Sequence, residues 1–235
     1  MAAGDIQILP LSGSTDGIPI TIGDTQTKTI HTATDVVGEL DLIWLYFSAA
    51  TDTFLTVEWG GTETSDKIDY GGPFSTGRTS MMISGFPIRG GLVIKCANAA
   101  GGNIASITGV VHRYAGVTES PEAGGASIQP LSESLDGRPT NIPNGTPTLI
   151  HTSTDTPNEI DLVTLYATTV GADPSGTVFV DAGGELTETV LDGSPREFTL
   201  IADKFPSRNG IEIGVDYVGG GTINIIGYVE RYNNG

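Results

Sequence analysis

The chain contains an internal repeat, in which short groups of residues in the first half return in the second half in the same order. The groups with their second copies are Pro10-Leu11-Ser12 and Pro130-Leu131-Ser132, Ile30-His31-Thr32 and Ile150-His151-Thr152, Glu39 and Glu159, and Asp41-Leu42 and Asp161-Leu162. Their spacing is 120 residues (130 − 10 = 120), and it narrows to 118 by the last pair, Arg113-Tyr114 and Arg231-Tyr232. A register kept over this length indicates a tandem duplication.

The duplication predicts two homologous domains of about 110 residues, each large enough to enclose its own core. We place them at residues 6–116 and 127–235. A short tail precedes the first at 1–5. A polar linker bearing Gly and Pro joins them at 117–126. The drift in spacing places small insertions and deletions in loops, where they cost little.

Each copy is predicted to be all-β. Charged residues are only 17% of the chain and there are 33 glycines, a composition typical of short strands joined by tight turns. Residues 104–114 alternate between two faces, and residues 39–47 are apolar on both faces beyond Asp41, as in a central strand. About eight antiparallel strands and no helix fit two tandem β-sandwich domains, jelly-roll-like or Greek-key. A small closed barrel per copy is the alternative, and the exact strand topology stays open.

Charge and composition narrow the possible partners. The formal net charge is −17, from 11 basic and 28 acidic residues, which disfavours nucleic acid and anionic lipid. We see no signal peptide and no apolar run long enough to span a bilayer, so we expect synthesis and folding in a cytoplasm. The lone Cys96 excludes internal disulfides and is expected to be a buried apolar residue.

No sequence motif points to catalysis, a cofactor or a metal. The chain has no nucleophile elbow, zinc-protease helix, Walker loop or dinucleotide fingerprint. Its three histidines are His31, His112 and His151, and the first and last occupy equivalent positions, one per copy. Zinc needs three or four converging ligands, so we expect each ring to be satisfied by a neighbour. The chain is therefore predicted not to be an enzyme.

Two pairs of acidic residues allow other interpretations. Glu39 with Asp41, and Glu159 with Asp161, lie two apart at a strand start and face the same side. Such pairs occur as glycosidase dyads and calcium sites. A dyad needs an aromatic-lined cleft, whereas aromatics are only 7% of the chain, and calcium needs six to eight oxygens. We favour a solvated strand edge that deters wrong pairing, and a weak calcium site stays an alternative.

The two tryptophans are the candidate contact residues. Trp44 corresponds to Thr164 in the second copy, and Trp59 to Ala182. A core position would resist such a loss of volume. Either at least one tryptophan is therefore peripheral, or the two cores differ there. A peripheral tryptophan can anchor a protein interface or stack on a sugar.

Residues 9–17, 29–33, 39–46 and 57–61, taken together, resemble the small β-rich virion proteins of tailed bacteriophages, which decorate or cement the capsid. The resemblance implies a structural virion protein on the capsid exterior that binds the major capsid protein. We expect a homo-oligomer, with a trimer favoured, because three chains offer six similar domains to hexameric capsomers. The alternative is a carbohydrate-binding or host-attachment lectin-like module. The oligomeric state and the virion component contacted (shell, portal vertex or tail) stay open.

Overall fold

The computed structural model describes residues 6–49, 53–59, 67–72, 79–98, 104–117, 121–169, 175–192 and 199–235. The chain divides into two compact units, residues 1–117 and 118–235. Residues 121–125, within the predicted linker, belong to the second unit, where Gly124 N donates to Asn233 O over 2.8 Å. In the described ranges no helix is long and apolar enough to cross a membrane.

The strands of the first unit are β1 (Ile6–Pro10), β2 (Ile20–Ile22), β3 (Thr27–Thr32), β4 (Glu39–Ala49), β5 (Thr53–Trp59), β6 (Lys67–Gly72), β7 (Thr79–Ile88), β8 (Val93–Asn98) and β9 (Ala105–Ala115). Those of the second unit are β10 (Ala126–Pro130), β11 (Thr140–Pro143), β12 (Thr148–Thr152), β13 (Glu159–Thr169), β14 (Ser175–Ala182), β15 (Glu185–Asp192), β16 (Thr199–Ser207), β17 (Glu212–Gly219) and β18 (Thr222–Asn233). A short 3₁₀ turn, Leu135–Gly137, lies between β10 and β11. The predicted all-β class is confirmed.

Both units arrange their strands in the same way. The first unit has one sheet in the order β1-β9-β4-β7, with β2 also paired to β9, and a second sheet in the order β3-β8-β5-β6. The second unit repeats this as β10-β18-β13-β16, with β11 paired to β18, and β12-β17-β14-β15. The strand pairs within these sheets are antiparallel.

The predicted central strand is confirmed. β4 lies between β9 and β7, and its Ile43, Leu45 and Phe47 are almost completely buried. The predicted alternation along β9 is also present, since Ile107 and Val111 are buried. In the second unit, one hydrophobic core cluster takes residues from both sheets. Examples are Val163, Leu165 and Val229 from one sheet, and Val178, Ile213 and Val215 from the other. Each such side chain contributes about 1.5–3 kcal/mol by leaving water.

The strand count differs from the prediction at the start of each copy. The described residues form nine strands per unit, against about eight predicted, because β1 and β2 form within residues 6–22, where the sequence pattern gives no clear strand. A turn lies between them in each unit. Asp16 and Gly17 have φ values of +53° and +82°, and Asp136 and Gly137 have +58° and +93°. Asp and Gly tolerate this left-handed conformation, which explains why the dipeptide occurs in both copies.

Candidate functional site

The repeated polar residues meet in one cluster in each unit, which we call the polar clamp. In the first unit the polar clamp consists of Ser12, His31, Thr34, Glu39, Asp41 and Arg113, and in the second of Ser132, His151, Thr154, Glu159, Asp161 and Arg231. The histidine lies on the second sheet, on β3 or β12, whereas the aspartate and arginine lie on neighbouring strands of the first sheet. Each polar clamp therefore joins the two sheets of its own unit.

The aspartate is the centre of the polar clamp. Asp41 Oδ1 accepts from Arg113 Nε over 2.7 Å, and Oδ2 accepts from Arg113 Nη2, Thr34 N and His31 Nε2 over 2.8, 2.9 and 3.2 Å. The corresponding distances at Asp161 are 2.7, 3.0, 2.8 and 3.1 Å. Both carboxylates are fully buried. A bidentate arginine with two further donors is among the strongest arrangements available to a buried carboxylate.

This environment holds both aspartates in the charged state. Burial alone would raise the pKa of Asp41, but hydrogen bonds from Arg113, His31 and Thr34 N lower it from 3.8 to about 2. Burial is likewise opposed at Asp161, where hydrogen bonds from His151, Arg231 and Thr154 N lower the pKa to about 2. Donors that favour the ionised form outweigh desolvation at both sites.

The hydrogen bonds of the histidine fix its tautomer. Ser12 N donates to His31 Nδ1 over 3.1 Å, so Nδ1 carries no proton and the Nε2–H points to Asp41. His151 has the same two partners, Ser132 N and Asp161. Both ring nitrogens are therefore occupied, as the sequence analysis expected.

The geometry does not activate the nearby serine. Ser12 meets His31 through its backbone N–H, while its Oγ accepts from Thr32 N over 2.7 Å. Nucleophilic catalysis requires the hydroxyl itself to donate to a base, which is not the contact made here. Ser132 Oγ likewise accepts from Thr152 N over 2.8 Å, and it donates to the neighbouring Glu133 carboxylate over 3.3 Å at an exposed position.

The predicted solvated strand edge at the acidic pairs is wrong. β4 and β13 are central strands, and Glu159 is only 3% exposed. Glu39 Oε2 accepts from Thr34 Oγ1 over 2.8 Å and lies 3.9 Å from Arg113 Nε, so the acids have internal partners. Strand alternation shows that the two acids face one side, but not that this side is the interior. Among the described residues no group of three or more His, Cys, Asp or Glu side chains is placed so that it could hold a metal ion.

Trp44 lies on the outward face of the first sheet, half-buried. Its ring centroid is 4.5 Å from that of His112, with the rings inclined at 49°. It also covers Gly85, whose φ is +68°, and a Cβ at Gly85 would lie 3.2 Å from the indole. Trp59 ends β5, and its side chain lies outside the described residues. Both tryptophans stay predictions as contact residues.

The equivalent face of the second unit has different chemistry. Thr164 takes the place of Trp44 and is only 1% exposed, while Glu230 takes the place of His112. Lys204, at the position of Gly85, places its Nζ 3.0 Å from Glu230 Oε1. The polar clamps of the two units are thus alike, whereas this outer face is aromatic in one unit and ionic in the other.

A polar cleft lies beside the polar clamp of the second unit. Its volume is about 440 Å³. We call it the hydroxyl cleft, and it is lined by Thr152, Ser153, Thr154, Asp155, Thr156, Gly210 and Arg231. The sequence analysis did not identify it. Its one sequence signal is that Ser153 and Thr156 replace Ala33 and Val36 of the first copy.

No protein-family model and no curated protein matches this chain. Its structure is weakly similar to the major capsid protein P2 of bacteriophage PM2, at 10% identity and a TM-score of 0.32, with 96% of this chain and 97% of that chain covered. It is also weakly similar to the tandem CBM22-1–CBM22-2 domain of Xyn10C from Paenibacillus barcinonensis, at 12% identity and a TM-score of 0.26, with 98% of each chain covered. The structural neighbours thus include a phage capsid protein and a pair of carbohydrate-binding modules. At these TM-scores the likeness assigns no function.

Proposed function

We propose that the chain is a structural virion protein of a tailed phage, which decorates or cements the outer capsid shell through protein–protein contacts and catalyses no reaction. One observation carries the proposal. In both units the polar residues that the duplication repeats are bonded to one another inside the fold, where they stabilise it. The candidate contact surface at Trp44 lies elsewhere, on an outward sheet face that differs between the units.

We further propose that each unit is a two-sheet jelly-roll sandwich. In the first unit the chain passes from β3 to β4, from β6 to β7, from β7 to β8 and from β8 to β9 by changing sheets, and the second unit does the same. The five-stranded and the four-stranded sheet of each unit, connected in this way, have the arrangement of a jelly roll, with β2 or β11 added to one sheet. The core cluster drawn from both sheets of the second unit supports face-to-face packing.

The proposed partner is the major capsid protein, and the proposed location is the exterior of the virion after synthesis in the host cytoplasm. A net charge of −17 favours solubility at high copy number and repels the packaged genome. We propose a trimer at three-fold or quasi-three-fold positions. A stable monomer at high concentration, measured by light scattering or native mass spectrometry, would contradict the trimer.

Binding to empty phage heads tests the function. Purified protein is mixed with heads from the source phage that lack it, and bound protein is separated by sedimentation. We expect saturable binding in the absence of sugar, weakened at least tenfold by Trp44→Ala, because buried aromatic anchors dominate interfaces. Val190→Ala, at a side chain that is 67% exposed in the second unit, serves as the control. Absence of binding by the unaltered protein would refute the function, whereas full binding by Trp44→Ala would refute only the contact residue.

A second candidate, a carbohydrate-binding or host-attachment module, is favoured by the hydroxyl cleft of the second unit. A glycan array distinguishes it from the first. Strong glycan binding without capsid binding would make attachment the main function.

A further inference from the structure

The hydroxyl cleft is an open groove with room for a small molecule. Its volume of about 440 Å³ falls within the range of about 300–1,000 Å³ typical of ligand pockets. Most of its lining comes from residues 152–156, at the end of β12 and in the loop to β13, which carry four hydroxyl groups and one carboxylate. The Thr154 hydroxyl already donates to Glu159 and accepts from Thr156 N, so the other groups are the ones that could contact a ligand. Hydroxyl groups both donate and accept hydrogen bonds, so this lining suits a ligand that does the same.

Where the two units differ at this cleft, the second unit is the more polar one. Five of the seven lining positions hold the same residue in the first unit, at Thr32, Thr34, Asp35, Gly91 and Arg113. The other two positions change from Ala33 and Val36 to Ser153 and Thr156, so each apolar side chain becomes a hydroxyl.

Ser153 supplies an unpartnered polar group at the cleft. It is 4% exposed, and its Oγ has no hydrogen-bond partner in the described structure. Burying a hydroxyl without a partner is unfavourable. Ala33, 5% exposed at the same place in the first unit, indicates that the fold does not need the hydroxyl. The exchange of Ala33 for Ser153 thus adds, beside the cleft, a buried hydroxyl that the packing of the unit does not use.

Hydrogen bonds to the polar clamp and to the neighbouring backbone hold the residues around the cleft in place without a ligand. Thr154 is held by Asp161 through its N–H and by Glu159 through its hydroxyl, at 2.8 Å each. Its carbonyl accepts from Gly210 N over 3.2 Å, and Ser153 N donates to Ile211 O over 2.9 Å. Little ordering is therefore required on binding, which favours a site for a small ligand.

The charges around the cleft select a neutral ligand. Arg231 is already bonded to the buried Asp161 through Nε and Nη2, and Asp155 adds an exposed carboxylate. The guanidinium is thus neutralised, and a free anion would meet repulsion from Asp155. We propose that the hydroxyl cleft of the second unit binds a neutral polyhydroxyl ligand, a sugar or polyol with neighbouring hydroxyl groups. The site does not depend on capsid binding, and either proposal can fail alone.

Amide NMR on the full chain tests this inference, because each unit reports separately. ¹⁵N-labelled protein is titrated with the methyl glycosides of glucose, galactose and mannose and with myo-inositol. We expect at least one probe to give saturable shifts at the amides of residues 152–156 and Gly210. The amides of residues 32–36 and Gly91 should not follow them. The double variant Ser153→Ala, Thr156→Val should weaken binding at least tenfold.

The variant introduces residues that the first unit already holds at these positions, so we expect it to fold, and its amide spectrum checks this directly. The reciprocal variant Ala33→Ser, Val36→Thr should make the first unit respond to the same probe. The inference is overturned if no probe gives saturable shifts, or if the folded double variant binds as tightly as the unaltered chain. It is also overturned if both units respond equally, because the probe would then bind non-specifically, as an adventitious additive only.

Discussion

Replacing Asp41 with asparagine removes the charge at the centre of the polar clamp in the first unit. The new side chain offers one acceptor oxygen and an NH₂ group to a site where Arg113, His31 and Thr34 N all donate. The guanidinium would lose its bidentate partner. Breaking a buried ion pair by removing one member costs about 3–5 kcal/mol, and we expect a loss in the free energy of unfolding of that size at pH 7.

The pH dependence of the free energy of unfolding gives a second magnitude for the contribution of the ionised Asp41. The pKa of Asp41 is about 2 in the folded chain, against an ordinary value of 3.8. Because the folded pKa is the lower one, the stabilisation is fully present above pH 3.8 and is lost as the pH falls through about 2. The difference of about 2 units (3.8 against about 2) corresponds to about 2–3 kcal/mol. The gap between the unaltered chain and Asp41→Asn should narrow by about 2 kcal/mol between pH 5 and pH 2, where the folded carboxyl group is half protonated.

Tryptophan fluorescence during urea denaturation measures this effect in one unit. Both tryptophans of the chain, Trp44 and Trp59, lie in the first unit, so their emission reports on the unit that carries the substitution. The matched control is Asp35→Asn, at an exposed carboxylate next to Thr34, which we expect to change the free energy of unfolding by no more than about 0.5 kcal/mol. A loss below about 1 kcal/mol for Asp41→Asn at pH 7, or a gap that stays constant down to pH 2, would refute the role given to the polar clamp.

Four further predictions follow from other contacts. Arg231→Lys should lower the free energy of unfolding by about 1–3 kcal/mol in urea, because an ammonium cannot reproduce the two bonds to Asp161, and an unchanged midpoint would contradict this. Ser153→Ala should raise the free energy of unfolding by about 1 kcal/mol, measured by calorimetry without ligand, because the buried hydroxyl has no partner. A decrease would show that the hydroxyl makes a hydrogen bond. Burial raises the pKa of the Cys96 thiol to about 12, so iodoacetamide at pH 8 should alkylate it only after denaturation, as read by mass spectrometry. EDTA should leave the Tm unchanged, because Asp41 and Asp161 already bond to arginine and histidine; a lower Tm would revive the calcium alternative.

The repeat in the sequence identified nearly every member of the polar clamp but not what the members do together. His31, Glu39 and Asp41 recur at a spacing of 120 because the same bonds are needed in both units. Their common partner, Arg113, lies 72 residues beyond Asp41. A one-dimensional pattern does not reveal such a pairing, and an acid on an alternating strand was therefore assigned to solvent.

The strands were predictable where a pattern extends over many residues, as in the continuous apolar run of β4 and the alternation of β9. They were not predictable in β1, where exposed Ile6 and Ile8 flank Gln7 and a proline ends the strand. β1 is held by its register against β9, with Ile8 opposite His112. Short edge strands of this kind are formed by long-range pairing and carry little local signal.

The polar clamp also bears on how the two halves of the gene can diverge. All six groups of each polar clamp come from one half, so neither half borrows a donor or an acceptor from the other. Exchanges such as Ala33 for Ser153 or Trp44 for Thr164 leave those bonds intact. After duplication, selection could therefore preserve the same buried hydrogen bonds in both halves, while the residues outside the polar clamp evolved separately in each half.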